Sequence, residues 1–211
     1  MSEHLELDHL VYATPDLDAS ISDVEVLLGV RATYGGRHPG RGTRNALVAL
    51  SENSYLELVG PDPEQLDIRG PRWLGIDNLS APRLVTWAVK CANIEMVAES
   101  AARAGVTLGP VTSGSRQTTD GSVLRWRLTD PGAMVEDGLI PFLIDWGTSR
   151  HPALSSPRGP ALLSLRAEHP EGERVERAAS VLGLELPVTR ASQPRLIARL
   201  QTERGGQVDL Y

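Results

Sequence analysis

The sequence predicts an α+β fold in which a βαβββ unit occurs three times. Each unit begins with an alternating strand pattern, continues with a helix whose apolar residues recur every three or four positions, and ends with three more strand patterns. The helix starts Asp16-Leu17 and Asn93-Ile94 lie 77 residues apart, and the helix ends Leu28-Gly29 and Leu182-Gly183 lie 154 apart, which is twice that spacing. This recurrence indicates internal repetition.

The first unit is predicted from the pattern near the N-terminus. A strand over residues 6–13 is followed by Thr14-Pro15-Asp16, which indicates a helix start with Thr14 as a hydroxyl cap and proline in the first turn. Gly29 is typical of the position just after a helix. The helical residues that share one face are Leu17, Ile21, Val24, Leu27 and Leu28. The three strands after the helix are expected at about residues 30–37, 43–50 and 54–60.

The second and third units follow the same order. In the second, a strand at 84–90 precedes a helix capped by Asn93, and in the third a strand at 162–167 precedes a helix at 171–182. The later strands are expected at about 106–113, 123–129, 139–146, 185–190, 195–202 and 207–211. Pro- and Gly-rich segments separate the units. The predicted division is therefore a region 5–150 made of units at about 5–60 and 83–147, followed by a shorter unit at 160–211.

Composition and charge restrict the class of protein. With 41% hydrophobic residues among 211, the chain can form a buried core in one large domain or two small ones. The net charge of −6 comes from scattered acidic residues without a basic block, which argues against a nucleic-acid partner. No apolar run approaches the roughly 20 residues that span a bilayer, so no membrane partner is expected.

Cysteine usage and the N-terminal residues favour a cytoplasmic protein. Cys91 is the single cysteine, so it cannot form an internal disulfide and a Cys-rich zinc module is excluded. The first four residues are polar and lack the features of a secretory signal. The sequence contains no Gly-x-Ser-x-Gly, Walker or Gly-x-Gly-x-x-Gly motif, so neither a serine hydrolase nor a nucleotide-binding protein is supported. The expected partner is a small-molecule ligand.

His9 and Glu57 are the leading candidates for a functional site. Each is a metal-ligand residue type within an alternating apolar strand, on the first and last strands of the first unit. Strand parity puts His9 on the face of Val11 and Glu57 on the face of Val59, so both can point into one concavity. An imidazole and a carboxylate form a mixed N/O site suited to Zn, Mn, Ni, Fe or Co. The alternative is a hydrogen-bonded histidine and an edge carboxylate without a metal.

The Gly-rich segment 37–43 is a second candidate. Gly40 and Gly42 allow backbone N–H groups to approach a ligand, while Arg37 and Arg41 offer cationic forks for a carboxylate or phosphate. The alternative is a hairpin whose arginines are solvated. The side chains of this segment expected to contact substrate are Arg37, His38, Arg41 and Thr43.

Alternation in the middle strand of the second unit gives a further prediction. Trp126 shares a face with Leu124 and Leu128, whereas Arg125 and Arg127 point the other way. If helices cover the apolar face, the two arginines line the concave side and contact substrate. The alternative for each arginine is exposure to solvent.

The segments that carry these candidates resemble the glyoxalase-like domain family of the vicinal-oxygen-chelate superfamily. The resemblance covers about residues 5–150. It implies that paired βαβββ units form a cup of curved mixed sheets with the helices outside, and that a divalent metal at the floor of the cup binds two neighbouring oxygens of the substrate. The resembling segments are residues 7–17, 35–43, 55–58, 129–132 and 141–147.

The resemblance also implies roles for individual residues. His9 and Glu57 match the two ligand positions of the first unit, and Glu57 is the expected catalytic residue. Thr86 stands at the position of the second histidine, and Asp145 is the carboxylate nearest to the fourth position, where it is an expected substrate contact. Three alternatives remain for the missing ligands. A further histidine completes the site, a homodimer pairs two first units, or no metal binds. The histidines considered for that role are His38 and His151.

The resemblance implies a divalent-metal-dependent enzyme of lyase or isomerase type that acts on a small oxygen-rich metabolite. The competing hypothesis is a metal-free protein that binds or sequesters a small molecule in the same cup. A third hypothesis gives residues 160–211 a role in docking a partner.

Overall fold

Twelve strands form two mixed sheets in the computed structural model, which describes residues 5–118 and 121–211. The strands of the larger sheet are β1 (Glu6–Ala13), β2 (Thr33–His38), β3 (Thr43–Ala49), β4 (Tyr55–Pro61), β5 (Arg83–Lys90), β6 (Val111–Gln117), β7 (Val123–Thr129) and β8 (Phe142–Asp145). Their order across the sheet is β2-β3-β4-β1-β5-β8-β7-β6. The N-terminal residues 1–4, on which the expectation of no secretory signal rests, lie outside the described residues.

The smaller sheet contains the last four strands, which are β9 (Ala161–His169), β10 (Val188–Arg190), β11 (Arg195–Gln201) and β12 (Gln207–Leu210). Their order across the sheet is β10-β9-β11-β12. The three helices of the described residues are α1 (Leu17–Leu28), α2 (Ile94–Arg103) and α3 (Gly172–Val181). The predicted α+β class with curved mixed sheets is confirmed. Among the described residues, no helix is both long and apolar enough to cross a membrane.

The centre of the larger sheet is the antiparallel pair β1–β5. Each of these strands has a parallel neighbour on its other side, β4 beside β1 and β8 beside β5, so the sheet consists of two similar halves. Leu10 lies opposite Trp87 at the middle of the pair. The sheet curves until β6 approaches β3, where Arg116 Nη1 donates a 3.0 Å hydrogen bond to Asn45 Oδ1. The result is a cup.

The convex face of the sheet packs on the helices and forms the main apolar core. Leu10 of β1 and Leu56 of β4, which are paired across the two strands, belong to one buried cluster with the apolar residues of α1. Leu143 of β8 and Ile94 of α2 belong to the same cluster. Buried residues of the smaller sheet, such as Leu200, continue this cluster. The helices therefore stiffen the outside of the cup and leave its concave face free.

The N-cap of helix α1 lies two residues later than the sequence pattern predicts. The predicted cap was Thr14, but Asp16 is the N-cap, and its carboxylate accepts a 3.0 Å hydrogen bond from the Ala19 amide. Thr14 lies two residues too early to reach the first turn in this way. Its hydroxyl accepts instead from the Asp16 amide and bonds to the Ser20 hydroxyl at 2.7 Å.

Two strand boundaries of the second unit also differ from expectation. The strand expected at 106–113 begins at Val111, because the preceding Gly109-Pro110 supplies a positive-φ residue and a residue without an amide hydrogen. The strand expected at 139–146 is Phe142–Asp145. A 3₁₀ turn at Val135–Gly138 precedes it, and the amides of Leu139 and Ile140 bond back to this turn.

The core on the convex face predicts a strong dependence of stability on Leu10, whose side chain is 0% exposed. We expect Leu10→Ala to lower the free energy of unfolding by about 3 kcal/mol or more, because it removes buried methyl groups and leaves a cavity. Leu27, which the sequence pattern wrongly placed on the apolar face, is 44% exposed on α1. It is the matched control, and Leu27→Ala should change stability by less than about 1 kcal/mol. Urea denaturation measures both. Equal losses in the two variants would contradict the described packing.

Candidate active site

Glu57 lies on β4 at the floor of the cup and is 8% exposed. Its Oε1 accepts a 2.6 Å hydrogen bond from Asn45 Nδ2. Two imidazoles flank the carboxylate: His9 Nε2 lies 3.7 Å from Oε2, and His38 Nε2 lies 3.7 Å from Oε1. The structure thus brings together three of the residues singled out in the sequence.

The His9 ring is held from three directions. Its Nδ1 lies 2.6 Å from Asp8 Oδ1, while Tyr55 stacks on one face at 4.6 Å and the edge of Phe142 meets it at 5.4 Å. Because a carboxylate only accepts hydrogen bonds, Nδ1 carries the proton. The other ring nitrogen, Nε2, faces Glu57 and the floor of the cup.

Asp8 is fully buried and accepts hydrogen bonds from three side chains. Besides His9, these are His151 Nε2 at 3.1 Å and Trp146 Nε1 at 3.0 Å. Burial by itself would raise the pKa of Asp8, but the hydrogen bonds and charges of the two histidines outweigh burial and hold its pKa well below the usual range. Asp8 therefore stays ionised. Through Trp146 and His151 it connects the segment after β8 to β1 by hydrogen bonds.

His38 sits at the end of β2 beside Glu57. Its Nδ1 bonds to Thr43 Oγ1 at 3.0 Å, and the same hydroxyl accepts a 3.1 Å bond from Trp73 Nε1. Burial lowers the pKa of His38 to about 4, even though the negative charge of Glu57 acts in the opposite direction. His38 is therefore neutral at neutral pH.

The pocket above Glu57 has a polar floor and apolar walls. The cavity itself is narrow, with a volume of about 30 Å³, and the space between the lining side chains is about 440 Å³ when open solvent at the mouth is included. The walls are formed by Val11, Trp73, Leu74, Trp126, Leu128, Pro131, Phe142, Ile144 and Trp146. The polar side chains are His9, His38, Asn45, Tyr55, Glu57 and Arg116. A concave, mostly apolar pocket with a few convergent polar groups is typical of a small-molecule site.

The chain matches the family described as "Glyoxalase-like domain" over residues 7–183, which is most of its length. It belongs to the glyoxalase-like domain family. The resemblance to this family that the sequence shows is confirmed. No curated protein matches the chain.

Solved structures of similar fold include a hypothetical protein from Staphylococcus aureus, with 14% identity, 98% of each chain covered and a TM-score of 0.68. This likeness shows that the fold extends over nearly the whole glyoxalase-like chain. Methylmalonyl-CoA epimerases have lower TM-scores. The Streptomyces coelicolor enzyme has 20% identity over 71% of this chain and 100% of its own, with a TM-score of 0.46. The Mycobacterium tuberculosis enzyme has 19% identity over 67% and 87%, with a TM-score of 0.43.

The predicted contacts from segment 37–43 have three different placements. His38 and Thr43 belong to the hydrogen-bonded floor around Glu57, whereas Arg37 turns away and pairs with Asp62 at 3.4 Å and with Glu64. A third placement is that of Arg41, whose guanidinium lies 5.3 Å from the centre of the Trp73 ring, at the rim of a neighbouring depression. The hairpin thus supplies the floor and the rim of the pocket with different residues.

The faces of β7 differ from the sequence expectation. Trp126 lines the pocket of the glyoxalase-like cup, whereas Arg127 donates a 3.1 Å hydrogen bond to Glu95 of α2. The arrangement is the reverse of the expected one, because the apolar face of β7, with Trp126 and Leu128, lines the pocket and leaves Arg127 on the side of α2. Arg125, Arg127 and Asp145 line a shallower depression beyond Trp126.

Arg116, Asn45 and Asp8 are polar residues of the site that sequence reasoning missed. Arg116 was hidden because the predicted strand ended at residue 113, three residues before it. Asn45 is a buried polar residue directly before the apolar run Ala46–Ala49 of β3, which is a usable signal. Asp8 directly precedes His9, but a register irregularity between Leu7 and His9 brings its carboxylate to the imidazole, and strand alternation does not predict this.

The donor set does not fit the four-ligand metal site of the superfamily. Val11 pairs with Glu57 in the first half and Ala88 with Phe142 in the second, so Phe142 occupies the counterpart of Glu57. Thr86 occupies the counterpart of His9. Within residues 5–118 and 121–211, no group of three or more His, Cys, Asp or Glu side chains is arranged to hold a metal ion. At the four superfamily positions the chain has two donors, His9 and Glu57, fewer than the three that a catalytic zinc site takes from the protein, and His38 lies beside the other oxygen of Glu57, Oε1.

The buried, neutral His38 predicts a pH dependence of stability. Between pH 6.5 and 4 the unfolded chain binds a proton at this imidazole and the folded protein does not, so the free energy of unfolding falls as the pH is lowered through this window. We expect this contribution, on the order of 3 kcal/mol, to be absent in His38→Gln. Urea denaturation at a series of pH values measures it.

The control is Arg103→Gln, which changes an exposed residue of α2 and should keep the slope of the unmodified protein. Asp8 does not interfere, since a carboxylate with a lowered pKa loses its stabilising effect only below about pH 4. The same slope in His38→Gln and in the unmodified protein would show that His38 is not buried in its neutral form.

Proposed function

We propose that this glyoxalase-like protein is an enzyme of isomerase or lyase type that moves a proton on a small oxygen-rich metabolite, with Glu57 as the general base. The observation that carries the proposal is the setting of Glu57. Its carboxylate is buried at the floor of an apolar pocket, with Oε1 oriented by Asn45 and Oε2 directed to the cavity and His9. A positioned base in such a setting fits proton abstraction from a bound substrate.

The proposed reaction begins at a carbon next to a carbonyl group. Glu57 Oε2 takes the proton, the electron pair of the C–H bond shifts to form a C=C bond, and the carbonyl π electrons move to oxygen to give an enolate. Return of the proton to a different face or carbon completes an isomerisation, whereas departure of a group from the neighbouring carbon, with its bonding electrons, completes a lyase reaction. Neither route requires an oxidant or a reductant.

The residues around Glu57 support this proton transfer. His9 Nε2 lies 3.7 Å from Glu57 Oε2, so a neutral His9 ring can take up the proton that Glu57 removes from the substrate. Asp8, whose lowered pKa keeps it ionised, stabilises an imidazolium at His9. Burial and the charges of Asp8 and Glu57 raise the pKa of Tyr55 well above its usual value, so its hydroxyl stays protonated and can donate to a substrate oxygen.

This route does not depend on the divalent metal that the superfamily resemblance implies. His9 and Glu57 are the only two ligands that the chain has at the four superfamily positions, and the other two are Thr86 and Phe142. His151, one of the proposed substitutes, is engaged by Asp8. Proton transfer by protein groups alone is therefore the simpler chemistry for this site.

A second candidate is a protein that binds or sequesters a small molecule without converting it. The observation in its favour is the aromatic wall, in which the indoles of Trp73, Trp126 and Trp146 surround the cavity together with Phe142. Such surfaces bind flat or apolar compounds by stacking and burial. The two candidates differ in whether Glu57 is needed for a chemical change or only contacts the ligand.

The proposed proton transfer predicts exchange of hydrogen with solvent. In D₂O, ¹H NMR should show protein-dependent loss of the signal from the C–H next to the carbonyl in a bound member of a panel of small 2-oxo, 3-oxo and 2-hydroxy acids. We expect Glu57→Gln to slow this exchange at least about 100-fold, because an amide cannot take the proton.

The matched control is Glu99→Gln, an exposed carboxylate of α2, which should exchange at the rate of the unmodified protein. Binding of a panel member without exchange would contradict the enzyme and favour the binding protein. Exchange that persists in Glu57→Gln would assign the base to another residue.

The donor set predicts that activity survives removal of metal. We expect elemental analysis of protein purified without chelator to find well below one equivalent of Zn, Mn, Ni, Fe or Co. Dialysis against EDTA should leave the exchange rate unchanged, because two protein donors hold a divalent ion weakly. Stoichiometric metal that is lost in both His9→Ala and Glu57→Ala would instead support the metal-dependent enzyme.

A further inference from the structure

Arg116 is a buried cation without a carboxylate partner. The side chain extends from β6 into the cup, is 5% exposed, and lines the pocket beside Glu57. Its one hydrogen bond within the described part of the chain runs from Nη1 to Asn45 Oδ1 at 3.0 Å. Asn45 is neutral, so this bond orients the guanidinium without compensating its charge.

An uncompensated guanidinium in an apolar pocket is costly. Arginine stays protonated in proteins, so it cannot escape the cost by losing its charge. Elsewhere in the chain, Arg72 pairs with Asp77 and Arg199 pairs with Asp209. Arg116 has no carboxylate within 4 Å among the residues that the structure describes. Its side chain lines the pocket that holds Glu57.

The surrounding backbone leaves room for this guanidinium. A Cβ atom at Gly35 of β2 would lie 2.0 Å from Arg116 Nη1 and 2.6 Å from Asn45 Oδ1, so only glycine permits the arrangement. Asn45 also separates the two charges of the pocket, because its Oδ1 accepts from Arg116 while its Nδ2 donates to Glu57. The base and the cation thus face one cavity without neutralising each other.

We propose that Arg116 binds a carboxylate group of the substrate, so that the substrate class is a small carboxylic acid with an apolar remainder. This assignment rests on the proposed function, because the bound acid is a substrate only if the protein is an enzyme. The planar fork of the guanidinium matches the two oxygens of a carboxylate. The aromatic wall accepts the apolar remainder, and Arg116 also faces the negative charge that develops on oxygen when Glu57 removes a proton.

A single guanidinium favours a carboxylate over a phosphate group. In the polar floor of the pocket, His38 is neutral, Glu57 is negative, and Arg116 supplies the positive charge. Arg41 lies at the rim, over Trp73, rather than at the floor. With Glu57 in the same floor, a bound carboxylate brings the negative charges to two against one guanidinium, whereas a phosphate dianion would bring them to three, so the carboxylate is the better match.

The test compares phenylacetate with its neutral amide, phenylacetamide, which has the same shape. Quenching of tryptophan fluorescence measures the affinity of both probes for the unmodified protein, for Arg116→Gln and for Glu57→Gln. We expect phenylacetate to bind the unmodified protein more tightly than the amide does. Arg116→Gln should weaken phenylacetate at least about 10-fold and change the affinity of phenylacetamide less than about threefold.

The control Arg103→Gln removes an exposed arginine of α2 and should leave both affinities unchanged. If Arg116→Gln does not fold, Arg116→Lys replaces it, and the lysine should retain a weakened preference for the acid over the amide. Equal affinity of phenylacetate for the unmodified protein and Arg116→Gln would overturn the inference. So would equal affinity of the unmodified protein for acid and amide, or a full preference for the acid in Arg116→Lys when Arg116→Gln does not fold.

The two proposals fail separately in these experiments. Glu57→Gln should still prefer phenylacetate to phenylacetamide, because Arg116 is intact. If that preference depends on Arg116 but hydrogen exchange does not depend on Glu57, the carboxylate site stands and the proposed base is wrong. If exchange depends on Glu57 but the acid is not preferred, the enzyme stands and the assigned substrate class is wrong.

Discussion

The antiparallel pairing of β1 with β5 is the constraint on which the rest of the structure depends. It joins two four-stranded halves into one curved sheet and sets His9 opposite Ala88, so that one half of the floor is polar and the other apolar. The same strand contains the irregularity that brings Asp8 to His9. Because Asp8 is buried and accepts three hydrogen bonds, it holds the His9 imidazole, the Trp146 wall of the pocket and the segment after β8 in one arrangement.

The chemistry of the cup follows from which of its charges are compensated. Asp8 is satisfied by its three donors, and His38 is kept neutral by burial. Glu57 and Arg116 remain as the two charges that face the cavity, and Asn45 keeps them apart while orienting both. In an interior of low dielectric constant these two groups act more strongly on a ligand than they would in water. A base and a cation in one apolar pocket are what proton abstraction from an organic acid requires.

Local periodicity predicted much of the fold and part of the site. The helices α1, α2 and α3 and the faces of β1 and β4 follow from alternation and helical spacing, which is why His9 and Glu57 were found. The prediction was wrong where other parts of the chain intervene. Gly109-Pro110 delays β6 and so brings Arg116 into a strand. The apolar face of β7 lines the pocket, which leaves Arg127 on the side of α2, where it bonds to Glu95. Neither effect is contained in the pattern of a single strand.

The sequence by itself determined the order of elements, the apolar face of each helix and the orientation of His9 and Glu57, because these depend on neighbouring residues in the chain. Only the tertiary structure decided which polar groups meet. Asp8 and Trp146 are 138 positions apart, and Arg116 and Asn45 are 71 apart. Their contacts depend on the curvature of eight strands and on where the sheet nearly closes, which is a sum of many small twists. The candidate base was therefore visible in the sequence, whereas its cationic partner was visible only in the folded cup.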